Sequence, residues 1–219
     1  RDRCKNNPFL FGSTELHERT HLAGFLSQDA SSGDAAVADF LPGTRWYRDG
    51  LQFSSEKTSG DERSDIRARW FNGLNEAVVS EIQKRLYAGA LLRVAENCDE
   101  IPDLCEDIER MASSDADKKR VAIAEKEKIA TEEIFWIDEK GEKYHAFPYL
   151  PQRKVLYAIA EAIAGAYPEA FPSSDSVITR VIFDAYFTGK LSPLQRMIQE
   201  IFGNEFFALL GIMDRSDRS

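Results

Sequence analysis

Apolar residues recur at helical spacing along most of this 219-residue chain. Over residues 66–86 they return every four residues, which predicts one apolar stripe along a long helix. That stripe consists of Ile66, Trp70, Leu74, Val78, Ile82 and Leu86. Because Gly73 lies inside the pattern, we expect the helix to break near Asn72 and Gly73. A break there would place Asn75 and Glu76 at the start of a helix.

The first part of the chain predicts an amphipathic helix over residues 15–28 and a short helix over 34–41, which a Pro-Gly pair ends. Ser13 or Thr14 would cap the first helix, because their side-chain oxygens can accept hydrogen bonds from the N–H groups of its first turn. Its core-facing side chains would be Leu16, Leu22, Phe25 and Leu26.

Two β-hairpins are expected among these helices. The segment 44–53 carries an Asp-Gly pair at 49–50, which is typical of a hairpin turn. The polar segment 54–65 is expected to be a loop. A second hairpin is predicted over 133–147, where an apolar strand faces its neighbour across a glycine-containing turn at 139–141.

The remaining apolar periodicity predicts more helices, so the expected fold class is α+β and helix-dominated. These helices would cover 102–112, 115–133, 152–166, 175–187, 193–202 and 204–213. Ser192 would cap the helix at 193–202. We expect a core over residues 1–98 and a helical extension with one hairpin over 99–219, packed on the core as one domain.

The candidate chemistry begins at residues 17–21, which read His17-Glu18-Arg19-Thr20-His21, the pattern H-E-x-x-H. On a helix, positions i and i+4 share a face, so the two imidazoles can bind one zinc ion, Zn2+. Glu18 would then lie beside the metal, where it can act as general base on a water molecule. This pattern is the signature of zincin metallopeptidases, which need a third protein ligand.

A candidate for that ligand is Glu76, because Asn75-Glu76-Ala77 resembles the helix start that carries the third ligand in thermolysin-like gluzincins. Two further segments resemble a group of bacterial gluzincin-like proteins. They are Tyr47-Arg48-Asp49-Gly50-Leu51 and Thr188-Gly189-Lys190-Leu191. The resemblance spans residues 17–203. It implies a zincin-like core with two short hairpins and a helical C-terminal part, and a zinc ion bound by His17, His21 and Glu76.

The chain departs from that group at Val79 and Ser80, where the group has Thr-Glu, and in the charged residues Glu15 and Arg19 around the H-E-x-x-H pattern. In such enzymes an acid one turn after the glutamate ligand often orients a metal-bound histidine. Hydrogen bonds of this kind fix the imidazole tautomer, and a serine does this less well than a carboxylate. The departures leave a degenerate, non-catalytic site open.

The resemblance also implies that a tyrosine and a histidine stabilise the oxyanion formed during hydrolysis of a peptide or protein substrate. His145 and Tyr144 are candidates, and so are Tyr47 and Arg48. A packing role competes with each assignment, because these side chains alternate with apolar residues in hairpins. The substrate would lie antiparallel to an exposed edge strand, for which the segment 44–53 is a candidate.

Charge and composition argue against binding to nucleic acid and against a membrane span. The net charge of −9 repels phosphate backbones, so nucleic-acid binding is disfavoured. No apolar run approaches the ~18 residues that a membrane span requires. The three cysteines show neither a zinc spacing nor a disulfide framework, which favours reduced thiols and a cytoplasmic protein.

Two other classes of function remain open. One is a non-catalytic scaffold or binding protein, such as a degenerate peptidase, and metal content is the observation that would distinguish a zinc-free scaffold from an enzyme. The other is a winged-helix DNA-binding regulator, because the helices at 102–112 and 115–133 and the hairpin after them follow the order of that fold. Its phosphate contacts would come from Lys118, Lys119, Arg120, Lys126 and Lys128, although nearby glutamates dilute this charge.

Overall fold

The computed structural model describes residues 8–24, 26–27, 44–57, 66–95 and 102–213. Helices dominate this part of the chain and the strands are antiparallel, in agreement with the expected α+β class. The helices are α1 (Pro8–Ala23), α2 (Asn72–Ala95), α3 (Pro102–Met111), α4 (Ser114–Glu127), α5 (Leu150–Ala166), α6 (Ser174–Val177), α7 (Phe183–Thr188), α8 (Ser192–Phe202) and α9 (Asn204–Ile212). A π-helical turn, Ile178–Ile182, joins α6 to α7. No described helix is both long enough and apolar enough to span a membrane.

The larger sheet has four antiparallel strands in chain order. They are β1 (Leu26–Ser27), β2 (Thr44–Asp49), β3 (Gln52–Lys57) and β4 (Ile66–Trp70). The predicted hairpin is confirmed, but Asp49 pairs with Gln52, so the two turn residues are Gly50 and Leu51. Because β3 continues to Lys57, the first part of the predicted loop 54–65 is strand. The predicted helix 34–41 lies outside the described residues.

The segment Ile66–Trp70 was expected to be helical, and it is the edge strand β4. Residues four apart share a face of a strand as well as of a helix, so Ile66 and Trp70 fit both patterns. The strand ends at Phe71, whose φ of 60° is left-handed and whose N–H donates to the Gly211 carbonyl at 2.8 Å. A helix, α2, then begins at Asn72, so the predicted helix start before Asn75 and Glu76 is confirmed, although a strand precedes it and Gly73 lies inside the helix.

Helix α1 begins at Pro8 and ends at Ala23, rather than covering 15–28 as expected. Ser13 and Thr14 therefore lie inside the helix and do not cap it. Leu22 is 76% exposed, so its expected core position is also wrong. Phe9, which is 2% exposed, provides the apolar anchor that the shorter predicted helix left out.

The helices after α2 begin and end close to the predicted positions, with two corrections. Helix α4 ends at Glu127, because Lys128 adopts a left-handed conformation and its N–H caps the helix. Helix α8 includes Ser192, and the residue that precedes its first turn is Leu191. The second hairpin is confirmed as β5 (Ile134–Ile137) paired with β6 (Tyr144–Ala146).

The chain divides into two compact units. Unit 1 comprises Arg1–Thr20 and Ser80–Pro148, and unit 2 comprises His21–Val79 and Tyr149–Ser219. The apolar core of unit 1 consists of Phe9, Tyr87, Met111, Ala116, Ala124, Ile134, Phe135, Ile137 and Phe147. Fully buried apolar side chains of unit 2 include Leu51, Leu156, Ile163, Ile178 and Tyr186. The predicted boundary between residues 98 and 99 falls outside the described residues and stays a prediction.

Candidate metal-binding site

The H-E-x-x-H segment lies on α1. His17 and His21 are four residues apart on this helix, so they lie about one turn apart on the same face. Both histidines are partly buried, while Glu18 and Arg19 are exposed. The helix therefore presents the two imidazoles together and leaves Glu18 accessible to solvent.

Glu76 lies in the first turns of α2, and its neighbour Asn75 fixes this helix start against the β2–β3 turn. The Asn75 side chain is fully buried, and its Oδ1 accepts a hydrogen bond from the Leu51 N–H at 2.8 Å. Gly50 has a φ of 57°, and a Cβ there would lie 2.6 Å from Asn75 Oδ1 and 2.3 Å from the Tyr186 ring. Only glycine fits this approach.

These two helices carry the three predicted ligands. His17 lies one helical turn before His21 on α1, and Glu76 is a neighbour of His21 within unit 2. His21 Nε2 and Glu76 Oε2 are 3.4 Å apart, and their side chains are 18% and 14% exposed. That distance exceeds the ~2.7–2.9 Å of a charged hydrogen bond. It equals the roughly 3.4 Å between two ligands of a tetrahedral zinc ion with metal–ligand distances of about 2.0–2.1 Å.

His17 has a hydrogen-bond partner that the sequence did not reveal. Its Nδ1 lies 3.1 Å from Gln83 Oε1. The sequence directed attention to Ser80 for such a contact, but the Ser80 hydroxyl donates to the Pro148 carbonyl at 2.8 Å. Gln83 follows Glu76 by seven residues, which is about two helical turns, so both side chains point from one face of α2. That spacing places Gln83 on the face of Glu76, but it does not show that Gln83 contacts His17.

Within unit 2, Asp49 interacts electrostatically with His21 and Glu76, and Tyr186 interacts with Asp49 and Glu76. Burial raises the pKa of the Asp49 carboxyl, and the nearby Glu76 adds to this while His21 opposes it. Burial is also the main cause that raises the pKa of the Tyr186 phenol, and Asp49 and Glu76 act in the same direction. Two carboxyl groups that disfavour each other's ionisation form a site where a cation would relieve the repulsion. The sequence indicated Asp49 as a turn residue and as part of the segment 47–51 that resembles gluzincin-like proteins, but not as a neighbour of His21 and Glu76.

His145 and Tyr144 lie on β6, and the described contacts of both are local. The His145 ring stacks on Phe135 at 6.0 Å between centroids and lies 5.1 Å from the Trp136 ring. Tyr144 is hydrogen-bonded to Glu127. The catalytic roles of His145 and Tyr144 stay predictions. The side chains of Tyr47 and Arg48 lie outside the described residues.

The packing of His145 has a consequence for stability. Burial lowers the pKa of His145, so the folded protein favours the neutral imidazole. The stability that His145 contributes is therefore present above about pH 6.5, its unfolded pKa, and is lost as the pH falls below that value. We expect wild-type protein to lose more free energy of unfolding than His145→Gln when urea unfolding is compared at pH 7.5 and 5.5. Equal losses would show that His145 is not buried in this way.

Comparisons with known proteins identify no relative. No protein-family model matches the chain. No curated protein and no solved structure matches it either. The assignment of a function therefore rests on the chemistry of the residues His17, His21, Glu76 and their neighbours.

Proposed function

We propose that this chain is a zinc-dependent metallopeptidase in which His17, His21 and Glu76 hold the metal and Glu18 is the general base. The observation that carries the proposal is the pair His21 Nε2 and Glu76 Oε2, which lie at the separation expected of zinc ligands, with His17 one helical turn before His21 on α1. The H-E-x-x-H spacing and the later glutamate are the pattern that gluzincins use.

The donor set fits a catalytic zinc rather than a structural one. Catalytic zinc sites have three protein ligands and keep a position open, whereas structural sites are closed by four. The partial exposure of His21 and Glu76 leaves such a position accessible. Zinc in this position supplies a Lewis acid that polarises the substrate carbonyl and acidifies a water molecule.

The place of Glu18 on α1 supports its proposed role as general base. It is exposed, and on α1 it lies about 100° around the helix axis from His17 and about 60° from His21. Its carboxylate can therefore accept a proton from the attacking water and return it to the leaving amine. His145 and Tyr144 remain the proposed stabilisers of the oxyanion.

Strand β2 is the proposed place for the substrate backbone. β1 pairs with β2 only at Arg48 and Asp49. Among the described strands, the segment 44–47 therefore has β3 as its one neighbour. Its other edge can pair antiparallel with an extended peptide, which supports cleavage of peptides or unfolded protein segments.

The proposal is tested first by metal content. Protein purified without added zinc is expected to contain about one zinc ion per chain. His21→Ala and Glu76→Ala should lower zinc affinity by more than the ~10–100-fold that loss of an outer hydrogen-bond partner costs, because each removes a ligand atom. Elemental analysis after dialysis measures this.

The matched controls are His145→Gln and Glu132→Ala, which remove a histidine that is not a proposed metal ligand and an exposed glutamate. Both should keep the wild-type zinc content. A wild type without zinc, or His21→Ala and Glu76→Ala variants that both retain it, would contradict the metal assignment.

A non-catalytic scaffold remains the second candidate, and one observation favours it. The chain lacks the acid one turn after Glu76, and Ser80 is engaged with the Pro148 carbonyl instead. His17 contacts the neutral amide of Gln83 instead of a carboxylate. A neutral amide raises the basicity of the imidazole less than a carboxylate would. Protein that holds zinc but cleaves no peptide in a broad library would favour this candidate.

The DNA-binding alternative loses support from the contacts of α4. Arg120 and Lys118 form ion pairs with Asp117 and Asp115 on the same helix. Lys119 donates to the Glu139 carbonyl. Cations that are engaged by neighbouring acceptors contribute less to phosphate binding, because binding would have to replace those contacts.

A further inference from the structure

We propose that Gln83 is a positioning residue that holds the His17 imidazole in its Nδ1–H tautomer, so that Nε2 carries the lone pair for a metal ion. This inference rests on the proposed function in its metal-binding part, while the tautomer itself is a property of the metal-free protein. Gln83 would thus perform the task that the sequence assigned to the position of Ser80.

The orientation of the Gln83 amide is fixed by its second contact. Its Nε2 donates to the Ser13 backbone carbonyl at 2.8 Å and also contacts the Ser13 hydroxyl. A carbonyl oxygen only accepts hydrogen bonds, so the NH2 group of the amide must face Ser13. The oxygen Oε1 must then face His17.

The amide orientation determines the tautomer of His17. Oε1 only accepts hydrogen bonds, so the proton must lie on His17 Nδ1, at the observed N···O distance of 3.1 Å. In a neutral imidazole the other nitrogen, Nε2, then carries the lone pair. A metal ligand needs that lone pair, and its direction follows from the ring orientation that the hydrogen bond sets.

The hydrogen bond between Gln83 and His17 can select the tautomer because the Gln83 amide is buried. Gln83 is 1% exposed and Ser13 is 4% exposed, so water does not compete for the amide. The adjacent turns of α2 are also fixed within unit 1, since Lys84 Nζ binds Glu133 Oε1 at 2.7 Å. Ser80 binds the Pro148 carbonyl on the same stretch of helix. The acceptor for His17 is therefore held on a rigid support, which is what tautomer selection requires.

The first test reads the tautomer directly in metal-free protein labelled with 15N-histidine, at about pH 8, where an unperturbed imidazole is neutral. Long-range 1H–15N spectra should show His17 of the wild type as the Nδ1–H form. Gln83→Met keeps the volume of the side chain but lacks a strong acceptor, and it should shift His17 towards the Nε2–H form. Ser13→Ala and Gln83→Glu both keep an acceptor at His17, and both should preserve the wild-type tautomer.

The second test measures zinc affinity of the same proteins by competition with a chromophoric chelator. Gln83→Met should weaken zinc binding by about 10–100-fold, and Ser13→Ala should leave it close to wild type. A wild-type His17 in the Nε2–H form would overturn the inference. So would a Gln83→Met variant with the wild-type tautomer and affinity. If the wild type binds no zinc but its His17 tautomer depends on Gln83, the positioning role stands and the proposed peptidase fails.

Discussion

Glu18→Gln is expected to abolish peptide hydrolysis while it leaves zinc in place. The glutamine preserves the size of the side chain and its hydrogen bonding, but it cannot accept a proton at neutral pH. A general base contributes about 10²–10⁴-fold to the rate, so the loss should be of that size. Zinc content should not change, because Glu18 is not one of the proposed ligands His17, His21 and Glu76.

The measurement is cleavage of an unstructured substrate such as casein, together with elemental analysis of the same samples. Glu15→Gln is the matched control, because Glu15 is an exposed glutamate on the same helix that pairs with Arg19. It should retain wild-type activity. If the wild type is active and Glu18→Gln cleaves at the same rate, another group must accept the proton.

Gly50→Ala is expected to destabilise the protein by about 3 kcal/mol, from crowding by the new methyl group and the left-handed backbone. The added Cβ would lie 2.3 Å from the Tyr186 ring and 2.6 Å from Asn75 Oδ1, at a φ of 57°. Both neighbours are fully buried, so neither can move freely. The free energy of unfolding from urea titration provides the measurement. Zinc affinity should fall as well, because Asn75 fixes the helix start that carries Glu76.

Gly165→Ala is the matched control in the same unit. Gly165 lies within α5, and a Cβ there meets nothing within 4 Å. Alanine is the better helix former, so this variant should be more stable than wild type by about 0.5–1 kcal/mol. A Gly50→Ala variant as stable as wild type would show that the turn does not pack tightly against Tyr186 and Asn75.

The sequence predicted the parts of the candidate site that depend on local spacing. His17 and His21 share a helix face because four residues separate them, and a helix start before Asn75 was expected from the interrupted pattern near Asn72, although Gly73 itself lies inside α2. Neither inference needs long-range contacts. Strand β4 was missed for a related reason, since a spacing of four residues does not distinguish a strand from a helix when only two positions are available.

The partners of the ligand residues could not be predicted, because they depend on contacts between distant segments. Gln83 and His17 are 66 residues apart in sequence, and Asn75 reaches the Leu51 N–H across 24 residues. A buried glutamine and a buried asparagine carry no distinctive pattern in a single sequence. The roles of Gln83 and Asn75 become apparent only when each buried polar atom is matched to its hydrogen-bond partner.

The π-helical turn before α7 sets which side chain occupies the space beside Gly50. A π turn holds more residues per turn than an α turn, and its one extra residue rotates everything after it by about 100°. Tyr186 follows that turn by four residues, and its ring reaches both Gly24 and Gly50. We therefore expect the segment Ile178–Ile182 to tolerate substitution more readily than a change of length. Loss of one residue there would restore a regular helix and turn the Tyr186 ring away from both glycines.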